Sequence, residues 1–176
     1  MNALVPAKTP GLVQTSDAGQ YLTFNLGAEV FALGILAVKE IIEYGGLTEV
    51  PMMPASVRGV INLRGAVVPV MDLARRFGKA AAEVGKRTCI VIVELDAQGE
   101  REAMVVGVVV DAVNAVIELP ASEIEAAPQF GARIRSEFIA GMGKLNGRFV
   151  ILLNVQNVLS AEDIGALQHM DAVLAG

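Results

Sequence analysis

The chain has 176 residues, 53% of them hydrophobic, and a formal net charge of −5 at pH 7. That length suits one ordinary domain, or two very small ones sharing a core. The acidic balance argues against nucleic acid or anionic lipid as the main partner, because both select basic surfaces. The longest apolar runs, such as AMVVGVVV at 103–110, stop at a charge (Asp111) well short of the ~20 residues a spanning helix needs, so no membrane insertion is expected. The hydropathy therefore belongs to a core or to surfaces covered by partners. One cysteine, Cys89, leaves no internal disulfide and fits a reducing compartment. With no Trp and two Tyr, few aromatic platforms remain for stacking bases or sugars. Composition thus predicts a soluble, cytoplasmic, β-rich protein.

Residues 1–19 lack a charged start followed by an apolar block, so they are no secretory signal, and they read as a flexible tail. From Gln20 the pattern is one of short strands. QYLTFNL (20–26) sets Leu22, Phe24 and Leu26 between Thr23 and Asn25, and VFALGI (30–35) follows a GAE turn. LAVKEIIEY (36–44) has spacing for a helical turn entering a strand, which periodicity alone does not resolve. The two prolines of VPMMPAS (50–56) demand an extended connection. Strands are expected at 59–64 and 66–73, then one helical turn at 74–79 and a loop at 80–85. TCIVIVEL (88–95) and EAMVVGVVV (102–110) flank DAQGE, a plausible hairpin tip, and Cys89 within that strand reads as a small buried side chain. DAVNAVIELP (111–120) resembles 36–44, 121–136 reads as a long irregular connection, and a further hairpin runs through GMGKLNG into 148–159. Ser160 stands as a helix cap before Ile164, Leu167, Met170 and Leu174, so a C-terminal helix is expected over 161–174.

Laid over 141–155, residues 59–73 match in register. Gly59 meets Gly141, Leu63 meets Leu145, Gly65 meets Gly147, Val68 meets Val150 and Asp72 meets Asn154. The segments 33–42 and 108–117 match in the same order. Two matched segments predict two similar small barrels, whose closure removes exposed strand edges. The expected domain covers 20–160, with approximate halves 20–83 and 84–160 between which strands can be exchanged. Gly65 and Gly147 fall where a turn needs φ > 0. The copies differ at the turn, which reads Asn62-Leu63-Arg64-Gly65 in one and Lys144-Leu145-Asn146-Gly147 in the other. Asn-Gly is what a tight hairpin prefers, whereas Arg-Gly is poorer there. Arg64 is then either a solvated arginine at a loop tip or a side chain that faces a partner.

These segments, above all QYLTFNLGAEVFALGILAVKEI, VRGVINLRGAVVPVMDLARRFG and FIAGMGKLNGRFVILLNV, resemble the CheW family of bacterial chemotaxis coupling proteins from about Gln20 to about Leu174. The resemblance implies an all-β fold of two SH3-like five-stranded β-barrels packed together, with a C-terminal α-helix and short helical turns. It implies an adaptor without catalysis or cofactor, bridging the cytoplasmic tips of methyl-accepting chemoreceptors to the regulatory domain of the histidine kinase CheA. Carried over by motif, Arg64 of NLRG matches the family arginine implicated in receptor contact, Val38 and Glu40 of VKEI match positions on the same receptor-contacting groove between the barrels, and Gly59 and Asn62 of RGVIN lie beside it. No short motif marks the kinase-contacting residues individually. Such an adaptor would sit in the cytoplasm, recruited to receptor clusters at the inner membrane.

Other readings have less support. Coupling proteins of this type also serve other receptor–kinase pathways, such as twitching motility. An enzyme would need a constellation that cannot be assembled: His169 is the single histidine, on the expected terminal helix, and GMGKLNG lacks P-loop spacing. Asp72, Asp96, Asp111 and Asp163 fall at strand ends, turns or a cap, where Asp is common. No metal ligand set is expected.

Overall fold

The computed structural model describes residues 19–78, 80, 83–96, 103–126 and 136–158. Ten strands follow in order: β1 (Gln20–Leu26), β2 (Glu29–Gly34), β3 (Val38–Glu43), β4 (Val57–Leu63), β5 (Ala66–Asp72), β6 (Cys89–Leu95), β7 (Met104–Val110), β8 (Ala112–Glu118), β9 (Ile139–Leu145) and β10 (Arg148–Leu153). Two four-residue helices, α1 (Leu73–Arg76) and α2 (Val155–Val158), follow β5 and β10. The expected terminal helix at 161–174, with His169 and Asp163, lies outside the described residues, as do 1–18.

The strands form two five-stranded sheets, ordered β8-β1-β2-β10-β9 and β3-β6-β7-β5-β4. The first is barrel 1 and the second barrel 2. Each has the same plan, with antiparallel hairpins β9–β10 or β4–β5 joined through one parallel pairing, β10 to β2 or β5 to β7. Barrel 1 therefore takes β1 and β2 from the start of the chain and β8 to β10 from its end, so a cut near residue 83 divides neither barrel from the other. Each copy of the three-strand unit closes the sheet begun by the other copy's hairpin.

Alternation along the strands fills three cores. Ile90, Ile92, Ile61, Val68, Val70 and Val109 fill barrel 2, while Ala32, Leu119, Val150 and Leu152 fill barrel 1. The largest cluster lies between the sheets, where Leu22, Phe24, Phe31 and Leu33 meet Met71, Val91, Val93, Val106 and Val108. Burying each such side chain contributes about 1.5–3 kcal/mol, so the shared face ties the barrels into one unit. Four phenyl rings run through it, Phe24, Phe31, Phe77 and Phe138, with successive centroids 6.1, 5.5 and 6.0 Å apart. Arg76 closes the end of that series. Its guanidinium lies 4.7 Å from the Phe138 ring centroid, and its Nε donates to the Val158 carbonyl at 2.6 Å.

The repeat holds atom by atom. The Asp72 amide donates to the Ser56 carbonyl at 2.7 Å, and the Asn154 amide donates to the Phe138 carbonyl at 2.8 Å. Thr48 bridges to Val60 and Glu125 to Met142, laying a connection along the outer edge of β4 and of β9. The strand expected over 148–159 is shorter. It stops at Leu153, and 155–158 turn into α2, because the Asn154 carbonyl takes the amides of Asn157 and Val158. Segment 36–44 is indeed a turn entering a strand: a 3₁₀ turn at Ile35–Ala37 leads into β3.

Candidate functional site

Both hairpin tips adopt the same backbone. Arg64 and Gly65 have φ of 53° and 88°, and Asn146 and Gly147 have 51° and 79°. Positive φ at both central residues is the two-residue turn whose twist matches that of paired strands. Asparagine enters that region readily, whereas a long unbranched side chain with its Cβ pays a conformational cost there. In barrel 2 the Asn62 side chain helps, its Oδ1 accepting from the Gly65 amide at 3.0 Å.

What Arg64 gains is a partner from the opposite edge of its sheet. Nη1 donates to Glu40 Oε2 at 2.5 Å and Nη2 donates to Oε1 at 2.7 Å, a two-pronged pair that spans from the β4–β5 tip to β3. β3 and β4 are the two outer strands of this sheet, so the pair clasps its open seam. A register shift between Val38 and Glu40 opposite β6 inserts Lys39 as an extra residue. Such a bulge re-aims the side chain that follows it. The hydrogen bonds from Arg64 are the chief reason the Glu40 carboxyl is held below the usual carboxylate range, with the guanidinium's charge adding to them. The same bonds raise Arg64 further above its ordinary value. Yet the Arg64 side chain stays 71% exposed. Two of its five N–H groups serve Glu40, which leaves the rest of a planar donor set facing outward in a fixed orientation.

The remaining residues singled out from the sequence occupy different places. Asn62 is exposed beside the clasp. Val38 is half-buried and packs against the inter-barrel core, so it supports the strand that carries Glu40. Gly59 is buried and offers no surface to a partner. Its φ is 153°, and a Cβ there would lie 2.5 Å from the Thr48 carbonyl oxygen. Its part is to let the 48-to-60 bridge approach. Gly65 and Gly147 sit in the two hairpin turns with positive φ.

Between the barrels runs an open groove of about 430 Å³. Its lining includes the apolar Ile35, Leu36, Ala37, Leu153 and Val155 together with the acidic Glu94 and Asp96. Leu36 is 67% exposed. The signal of this turn in the sequence is three apolar residues next to VKEI that no strand alternation requires. The clasp residues do not line this groove; they lie further along the strand that leaves it.

The other polar candidates are structural. Asp72 is fully buried, accepts from Arg58 Nη1 at 2.7 Å, and caps α1 by accepting from the Arg75 amide. Asp111 Oδ2 accepts from the Gly27 amide at 2.7 Å. Cys89 is half-buried in β6 rather than fully buried, its thiol 3.2 Å from the Arg87 carbonyl. Among the described residues no group of three His, Cys, Asp or Glu could hold a metal ion, and no helix is long and apolar enough to cross a membrane.

Comparison with known proteins agrees with the doubled-barrel plan. The family model described as the CheW-like domain matches residues 20–163. Chemotaxis protein CheW of Klebsiella aerogenes is 34% identical over 151 residues, covering 86% of this chain and 87% of that protein. That of Rhizobium meliloti is 32% identical, covering 85% and 92%. Protein FrzA of Myxococcus xanthus is 30% identical, covering 83% and 88%. Among solved structures, the scaffolding protein TtCheW from Thermoanaerobacter tengcongensis superposes with a TM-score of 0.72 at 29% identity, over 83% of this chain and 90% of that one. A doubled SH3-like barrel matched along nearly its whole length leaves one assignment: this chain belongs to the CheW-like domain family.

Proposed function

We propose that this chain is a non-catalytic adaptor of bacterial chemotaxis, holding the cytoplasmic tips of methyl-accepting chemoreceptors beside the regulatory domain of the histidine kinase CheA. The observation that carries the reading is the Arg64–Glu40 clasp. Barrel 2 keeps an arginine in a left-handed turn position that barrel 1 gives to asparagine, and then orients it with a carboxylate. A residue retained against local backbone preference, yet mostly in solvent, is better suited to recognition than to stability. The groove at the start of β3, lined by apolar side chains together with Glu94 and Asp96, suits an amphipathic helix laid along it. Arg64 and Glu40, with Asn62 beside them and Val38 behind, form the receptor-contacting surface in this reading; Gly59 shapes it from beneath. The protein acts in the cytoplasm at receptor clusters on the inner membrane.

The test is Arg64→Glu, which puts two carboxylates together at the tip. Co-sedimentation with receptor-bearing membranes is expected to be lost, while the melting temperature stays within about 2 °C of the parent, because exposed pairs contribute little to stability. Unfolding of that variant would make Arg64 structural. Retained binding would move the receptor surface elsewhere.

A further inference from the structure

The outer face of β10 carries an apolar stripe that outruns the interface it serves. Leu153 is buried between the barrels, Ile151 is half-buried against the same core, and Phe149, two residues further out on the same face, is 55% exposed. Opposite Phe149 in the antiparallel pairing sits Lys144, its Nζ 5.7 Å from the ring centroid. Arg148 follows the turn, and among the described residues neither cation forms an ion pair. The hairpin segment KLNGRF thus holds two cations and no acid in a chain of net charge −5. The equivalent place in barrel 2 has Val67 paired with the neutral Asn62, and Ala66 in place of Arg148.

We infer that the β9–β10 face of barrel 1, with Phe149 as its apolar floor and Lys144 and Arg148 as its charges, docks an acidic segment of a partner protein that also bears apolar side chains. Two features support that occupant. The stripe continues an interface already built for apolar contact, so covering Phe149 extends a packed surface. Lys144 already rests over the ring, so an incoming carboxylate would meet a cation positioned in advance. The surface lies on the other barrel from the Arg64–Glu40 clasp and does not depend on the receptor reading.

The probe is a short synthetic peptide alternating Glu and Leu, titrated into the full chain while amide resonances are followed. Shifts are expected at 142–151 and should weaken as salt is raised. Lys144→Glu and Phe149→Ser should each weaken binding about tenfold while leaving the melt intact, since both side chains are exposed. A Lys-Leu peptide should bind at least about tenfold less well. Absence of shifts at 142–151 overturns the proposal, as does equal binding of the two peptides, which would reveal only apolar adhesion. Binding to phosphatidylserine vesicles in preference to the Glu-Leu peptide would assign the cations to a membrane surface and overturn it too.

Discussion

The two hairpins β4–β5 and β9–β10 share a register, a turn and a place in their sheets, and they differ in what the turn carries. Asn146 occupies the left-handed position that its side chain tolerates, with Ala115 at the site equivalent to Glu40. Arg64 occupies the same position against preference and meets Glu40 across the seam. Barrel 1 shows what the fold needs from this hairpin. Barrel 2 shows what has been added to it. Subtracting one from the other isolates the clasp as an addition, a separation that neither barrel alone would permit.

The largest effect on stability should come from the glycines that admit the edge connections. Gly59→Ala drives a Cβ into the Thr48 carbonyl at an unfavourable φ and should cost about 3 kcal/mol or more. Gly141→Ala meets the Ile124 Cγ2 methyl at 2.6 Å and the Glu125 carbonyl oxygen only at 3.1 Å, without an unfavourable φ, so a smaller loss of about 2 kcal/mol is expected. Equal losses in denaturant titrations would erase the distinction between the two edges. Next, Gly65→Val and Gly147→Val should each cost about 2 kcal/mol, and by similar amounts, because their φ values are alike. A tolerant barrel at either site would contradict the shared turn.

A smaller effect separates conformation from chemistry. Arg64→Asn relieves the backbone while removing the clasp, so the melting temperature should hold or rise slightly, whereas receptor co-sedimentation should fall. The reciprocal Asn146→Arg has no carboxylate to meet at Ala115 and should cost about 1 kcal/mol. A melt that drops with Arg64→Asn would make the clasp a structural tie.

The smallest effect is in the acid limb of the stability curve. Glu40 is held below its ordinary value in the folded chain, so its contribution is present above the unfolded carboxylate pKa of about 4.3. It is lost as pH falls through the lowered folded value. Wild type and Glu40→Gln should differ slightly near neutral pH and converge in acid, and high salt should shrink the difference, because the pair is exposed. A difference that grows on acidification would require another group.

Local rules made much of this legible from the amino-acid order. Alternation in QYLTFNL and CIVIVEL marks strands, Asn146-Gly147 marks a turn, and the match of 59–73 to 141–155 reveals the doubled plan. Arg64 stood out because it broke the preference its sibling obeyed. Its partner Glu40 is named only through family resemblance, and Gly59, which the same resemblance puts beside the groove, is buried against the Thr48 carbonyl. Leu36 lies in the helical turn that the spacing of 36–44 signals, but spacing alone does not say that its side chain is left in solvent beside the groove.

The set of strands, their buried faces, the turns and the repeat all follow from the order of residues, because backbone preference and spacing act within a few positions. Tertiary structure alone decided that β1 and β2 pair with β8 and β10, that β3 to β5 join β6 and β7, and that Glu40 reaches Arg64 across a seam. The reason is physical. A period of two says which side of a strand is dry, but every apolar face fits many others, so the choice among partners rests on the packing of the whole core.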